Sequence, residues 1–220
     1  MAADKRSRET DWKDGFLFLG NHVALDFLNT RPVQNGEGQE LLPDFEAMLR
    51  WFRAAELLSS QEVSSLERWH GSARAQKALQ EVRQFREDLR REVLSLERGG
   101  AKLHRAAIDK LNVLLAAHPM IAKVKQTEDG PQMGLSFVAS KPECLFAPLA
   151  HAVAELFTEA DRTRLRKCRQ CVLHFLDTSR KGTRRWCSMQ LCGNRLKVAA
   201  YARRKRLAGN ESRLQQSVRD

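Results

Sequence analysis

The feature that most constrains this chain is a set of four cysteines, Cys168-x2-Cys171 and Cys187-x4-Cys192, with 15 residues between the pairs. Two short-spaced pairs joined by a segment long enough for a hairpin suit a tetrahedral metal site, because each pair spans one edge of the tetrahedron. Four thiolates fill the coordination sphere. The spacing therefore predicts one structural Zn2+ per chain, held by Cys168, Cys171, Cys187 and Cys192, with no open position for catalysis. An iron–sulfur cluster, or two reduced thiol pairs without metal, are the competing readings. His174 lies close enough in sequence to substitute as a ligand, although four cysteines already suffice. A metal also answers a folding problem. Val172, Phe175, Leu176, Trp186, Leu191 and Leu196 make only a small apolar cluster, and at that size a metal is a usual source of stability.

The cysteines sit in the most basic part of the chain. Residues 162–206 hold 15 Lys and Arg against one acid, Asp177, whereas all 220 residues together hold 38 against 27. The whole formal excess of +11 therefore lies in one fifth of the sequence. Such a block is an electrostatic footprint for a polyanion; a merely solvated face would intersperse both signs. Ser188 is placed to cap a helix that begins at Met189 and carries Cys192 in its first turn. At about 100° per residue, Cys192, Leu196, Ala199 and Ala200 face the metal, with Arg203 at the exposed end. Asn194, Lys197, Tyr201, Arg204 and Lys205 share the other side, and Arg195 and Arg206 lie along the flank. With Arg184 and Arg185 upstream, these make a candidate nucleic-acid surface of Arg184, Arg185, Asn194, Arg195, Lys197, Tyr201, Arg204 and Lys205. Splayed RNA bases call for aromatic platforms, and the module has only Phe175, Trp186 and Tyr201, the first two expected in its core. Duplex DNA is the expected partner, with an RNA- or ribosome-binding role as the alternative.

The rest of the chain is close to neutral and helical in period. The longest apolar run is five residues, too short for a membrane span of about 20. The N-terminus lacks the apolar core of a secretion signal, so a cytoplasmic protein without membrane contact is expected. No phosphate loop, nucleophile elbow or His-Glu-x-x-His motif is present, and an enzyme is not expected. Phe16–Leu19 reads as a strand and residues 22–29 as a short helix, followed by a polar loop over 31–40. Helices follow over 45–58 behind Asp44, from the Ser59-x2-Glu62 capping box, over 75–96 up to Gly99-Gly100, and over 103–115 up to Pro119. Residues 120–138 change period and read as a β-hairpin turning at 128–131, and 145–157 returns to helix. Cys144 reads as a buried apolar side chain.

The fold class is thus α+β and mostly helical: a helix-rich N-terminal domain with a small β-hairpin, then a four-cysteine zinc-ribbon-like or treble-clef-like module. The divisions are 1–160, 161–208 and a polar tail over 209–220. Residues 1–160 are expected to fold alone, so that a chelator unfolds only 162–206. A polar cluster, Asn21, His22, Asp26, Asn29, Thr30 and Arg31, brackets the first short helix. It offers a small-molecule pocket. The simpler reading is local capping, with Asn21 as N-cap and Asn29 and Thr30 as turn residues.

The run Trp186-Cys187-Ser188-Met189-Gln190-Leu191-Cys192-Gly193-Asn194-Arg195, followed by Lys197 and Arg203-Arg204, resembles the signature of the CGNR zinc finger family. Cys168-x2-Cys171 supplies that family's first ligand pair. Phe16-x-Phe18-x-Gly20-Asn21-x2-Ala24-Leu25-Asp26-Phe27-x-Asn29-Thr30 is similar to the opening of the ABATE domain, which commonly precedes that finger. The resemblance implies a bacterial, stress-related transcription regulator with the finger on DNA. Its input would then be a small-molecule effector or a homodimer contact through the N-terminal domain. It also implies that Gly193 lets the helix approach the metal loop, and that Asn194 and Arg195 either contact nucleic acid or support the cysteine sulfurs.

Overall fold

The computed structural model describes residues 11–193, apart from 35 and 101. Trp12–Lys13 (β1) pairs antiparallel with Phe16–Leu17 (β2). Asp14 and Gly15 between them have φ of 49° and 84°, as in the type I′ turn that matches the twist of a hairpin. The strand expected over 16–19 is therefore shorter. Beyond β2 the chain turns toward the C-terminal region, with Leu19 packed among its residues.

Val23–Leu28 forms α1. His22 caps it, its Nδ1 accepting from the Ala24 amide at 3.2 Å. Asn21, read above as the cap, instead has φ 54° and donates its side-chain amide to the Leu176 carbonyl at 2.8 Å. The loop over 31–40 contains a two-rung hairpin, Val33–Gln34 (β3) with Glu37–Gly38 (β4).

The next helices follow their caps. Phe45–Ala54 (α2) starts behind Asp44, whose carboxylate accepts from Ala47 N at 2.7 Å. It stops short of residue 58 because Glu56 takes a left-handed φ of 61°. Ser60–Glu67 (α3) opens on the Ser59/Glu62 capping box. Ala73–Glu97 (α4) is the longest helix and ends before Gly99 at φ 92°. Arg105–Ala117 (α5) precedes the hairpin of Ile121–Thr127 (β5) and Gly130–Ser136 (β6), which turns at Glu128-Asp129. A 3-10 turn at Pro142–Leu145 leads into Phe146–Thr158 (α6). The C-terminal region adds Leu165–Lys167 (β7) paired with His174–Leu176 (β8), and a π-helical turn at Met189–Gly193. The fold is α+β and mostly helical with small β-hairpins, as the sequence predicts. Among the described residues no helix is long and apolar enough to cross a membrane.

The main core gathers around Trp51, which lies edge-on to Phe52 at 5.3 Å and tilted against Phe27 at 5.6 Å. α4 contributes Leu79, Val82, Phe85, Leu89 and Val93. Arg86 on the same helix is also buried, which its charge disguises in the sequence. Its guanidinium donates to Thr30 Oγ1 at 2.8 Å and to Glu40 Oε1 at 2.9 Å. Burial alone would raise the Glu40 carboxyl, but the hydrogen bonds from Arg86 hold it below its ordinary value. Arg83 and Arg90 donate to the Leu42 and Arg31 carbonyls. Three arginines of one helix thus fix the backbone after α1 against α4.

A smaller cluster joins Leu19 to Cys168, Leu173, Phe175, Cys187 and Cys192, with Leu17 packed against it. Conversely, Leu165 of β7 belongs to the main core, and Leu176 packs on it. Each end of the chain therefore inserts apolar side chains into the other's cluster.

Candidate metal centre and nucleic-acid interface

The first cysteine pair stands on the loop between β7 and β8, where the Cys168 amide donates to the Leu173 carbonyl at 2.8 Å. This turn brings Cys171 back beside Cys168. The second pair is set by the π-helical turn, in which the Cys192 and Gly193 amides both donate to the Ser188 carbonyl. Ser188 Oγ caps the same turn, accepting from Leu191 N at 3.3 Å. A Cβ at Gly193 would come within 2.9 Å of the Met189 sulfur, so glycine lets the turn close against Met189. A backbone bond from Arg169 N to the Arg185 carbonyl at 3.1 Å ties the two cysteine loops together.

The result is a compact thiol cluster. The ligand atoms of Cys168, Cys171, Cys187 and Cys192 all lie within 4.8 Å of one another. Cys171 and Cys187 are 3.4 Å apart, and Cys187 and Cys192 3.7 Å. A tetrahedral ion with thiolates at about 2.3 Å has a sulfur–sulfur edge of about 3.8 Å. The cluster fits one such ion. An iron–sulfur cluster would place several atoms between the sulfurs and force them farther apart. The crowding shows in the thiols themselves. A hydrogen bond from Cys187 lowers Cys171 to about 5. Cys187, bound to Cys171 and buried among the other sulfurs, is pushed far up, and burial raises Cys192 to about 12. Four thiolates share such a space when a cation sits among them. His174, the substitute ligand considered above, is turned away. Its ring is buried, and Nε2 lies 3.4 Å from Glu97 at the end of α4.

The arginines around the cysteines divide into two groups. Arg184 faces inward: it donates to the Trp186 carbonyl at 2.8 Å and to the Cys187 carbonyl, and its guanidinium lies 5.3 Å from the centre of the Phe175 ring. It braces the second cysteine turn, which differs from the phosphate contact expected of it. Arg164 likewise donates to the Ser179 carbonyl at 2.8 Å. Arg162, Lys167, Arg169, Arg180, Lys181 and Arg185 are exposed. The one acid of the block is buried. Asp177 accepts from Ser179 N at 2.9 Å and Arg184 N at 2.7 Å, which takes its charge off the surface. Asn194, Arg195, Lys197, Tyr201, Arg204 and Lys205 lie outside the described residues.

The polar cluster around α1 splits as well. Asp26, Asn29 and Thr30 border a cavity of about 300 Å³. His22 is occupied in capping α1, Asn21 reaches Leu176, and Arg31 pairs with Glu87 at 3.2 Å. Asn29 is more than a turn residue. It donates to the His174 carbonyl at 2.8 Å and accepts from the His174 amide at 2.9 Å, so its side chain extends the β8 ladder. The Leu176 amide donates to the Gly20 carbonyl at 2.8 Å beside it. Gly20 is required there, because a Cβ would come within 2.8 Å of the Asp26 backbone nitrogen. Sequence reasoning missed this joint. The pairing partners are 145 residues apart, and no local pattern marks them.

A helix-rich N-terminal region followed by a basic region with four clustered cysteines defines the class: a mostly helical protein whose C-terminal region fits a zinc-binding module. The CGNR zinc finger matches residues 164–205. ABATE, described as "Putative stress-induced transcription regulator", matches residues 21–160, and the chain belongs to that family. No curated protein matches the sequence.

Proposed function

We propose that the protein is a cytoplasmic bacterial transcription regulator whose zinc-loaded C-terminal module, over about residues 161–208, binds duplex DNA. In this reading Zn2+ is structural, closed by four thiolates, and the protein is not an enzyme. Residues 1–160 supply the input, through a small-molecule effector or a homodimer contact. The observation that carries the reading is the division of charge. Over residues 162–193 six cations are exposed, and the single acid, Asp177, is buried and hydrogen-bonded within the module. A surface with that balance attracts phosphate along a polynucleotide.

Competition binding by the zinc-loaded chain at one salt concentration, with duplex DNA, single strands and structured RNA, tests this. Duplex DNA is expected to compete best; preference for structured RNA would replace this reading with the RNA-binding one. Lys167→Ala and Arg185→Ala should weaken binding to all duplexes alike and lower the salt slope by about one counterion each. Arg184→Ala should instead lower zinc retention, since its guanidinium holds the Cys187 turn. Lys197→Ala and Arg204→Ala report on the helix that the sequence places beyond the cysteines. Unchanged binding in Lys167→Ala, Arg185→Ala, Lys197→Ala and Arg204→Ala alike would overturn the assignment of this face.

A further inference from the structure

The cavity beside α1 lies where the N-terminal hairpin, α1 and the first cysteine loop meet. Aromatic rings of Trp12, Phe16 and Trp51 border it, and Leu173 closes one side. Asp26 is the one acidic group on its wall. That carboxylate is 7% exposed and accepts from Gly20 N at 2.7 Å. Among the described residues no lysine, arginine or histidine lies within ion-pair distance of it. Burial raises the carboxyl to about 7, against the lowering effect of the Gly20 and Leu19 amides and of the Lys13 charge. Two neutral polar side chains beside it on the wall are satisfied within the protein: Asn29 by the His174 backbone, and Thr30 by the Phe27 carbonyl and Arg86. Asp26 is thus the one charged group on the wall, and no cation pairs with it directly: Lys13, whose charge reaches it from a distance, is paired with Glu56 at 2.5 Å.

A buried carboxylate without a cation costs stability until a cation or a strong donor reaches it. Aromatic faces around it favour the same kind of guest, because their ring quadrupoles attract positive charge. A volume of about 300 Å³ lies at the small end of ligand pockets and suits a guest with one or two rings. We propose that this cavity binds a small aromatic organic cation, of the arylalkylamine class, with the Asp26 carboxylate as its counter-ion.

The site is also placed to influence the finger. Leu173, on the cavity wall, gives its carbonyl to Cys168 N within the first cysteine turn. Asn29, also on the wall, holds the next residue, His174. A guest that favours one docking of this turn shifts that equilibrium by its differential affinity for the two states. This second step deepens the proposed function and rests on it; binding of the amine does not.

The experiment is calorimetric titration of the full zinc-loaded chain at about pH 8, where the carboxylate is ionised, with benzylamine and tryptamine as probes. Their neutral counterparts, benzyl alcohol and tryptophol, serve as controls. At least one amine is expected to bind about tenfold or more tightly than its alcohol, the scale of one charge-assisted hydrogen bond in a dry site. Asp26→Asn should abolish that preference while keeping the Gly20 contact, and Trp12→Ala should weaken amine binding several-fold without altering zinc content. Equal affinity for amine and alcohol, or an amine preference that survives Asp26→Asn, overturns the proposal. Failure of both amines to bind overturns it equally. Duplex affinity is then measured with and without saturating amine. A change of threefold or more supports coupling and no change refutes it, while loss of DNA binding in both conditions strikes the proposed function and leaves the amine site standing.

Discussion

Asp26 sets a pH dependence of its own. Its carboxyl titrates near 7 in the folded chain because burial disfavours the charge, whereas an unfolded aspartate titrates near 3.9. The folded state therefore holds a proton that the unfolded state has already lost, and stability must fall as pH rises through the folded value. Between about pH 6 and pH 8 this removes about 1.4 kcal/mol, one titration unit, while the unfolded aspartate stays ionised throughout. Asp26→Asn should lack that loss. Urea unfolding of both proteins at the two pH values is the check, because the difference between them cancels the other groups. The wild type should lose ground to the variant at the higher pH. A constant difference would mean that Asp26 stays ionised across the range.

Among the elements, the junction of α1 with β8 bears most weight. Asn29→Ala would leave the His174 N–H and C=O without their side-chain partner in a buried site. Two lost buried hydrogen bonds of this kind cost about 2–4 kcal/mol. By contrast Val124, on the apolar face of the β5–β6 hairpin, is 74% exposed and pairs with Met133 at 80%. Val124→Thr should change stability by about 0.5 kcal/mol or less. Thermal unfolding of the two variants should separate them clearly, and equal effects would show that Asn29 does not carry the joint. The same contrast explains which elements the sequence revealed. α2, α3 and α4 announce themselves through caps and apolar periodicity, and the four cysteines through their spacing, because those signals are local. Asn29 reads as a turn residue and Leu19 as the end of a strand. Their actual partners, His174 and the cysteine cluster, are brought near only by the fold. Arg86 and Arg184 mislead for a related reason. Charge marks a residue as exposed unless its hydrogen-bond partners, Glu40 and Thr30 or the Trp186 and Cys187 carbonyls, are already known. The β1–β2 hairpin is unexpected, although Asp14-Gly15 is a local turn signal, because Phe16–Leu19 reads as a single strand.

At the scale of the molecule, the joint changes what metal removal should do. If the cysteine module merely followed an independent domain, a chelator would unfold residues 162–206 and leave everything before them untouched. The apolar clusters instead cross over: Leu17 and Leu19 pack with the cysteines, and Leu165 packs in the main core. Binding of a structural zinc supplies about 10 kcal/mol or more of folding free energy to its module. Its removal should free the β7–β8 strands and with them the clamp on Asn29 and Gly20. α1 would then lose one of the surfaces that order it, whereas α2 keeps Trp51 against Phe52 and α4 keeps Phe85 against Phe146. Amide hydrogen exchange after chelation should accordingly show fast exchange over 165–193 and also across Gly20–Asn29, with residues 79–93 still protected. The thermal midpoint of the remaining helices should drop as well, since their core has lost Leu165. Retained protection at Leu25, Asp26 and Asn29 in the metal-free protein would show that the N-terminal part stands without the module, and that the shared surface is contact without coupling.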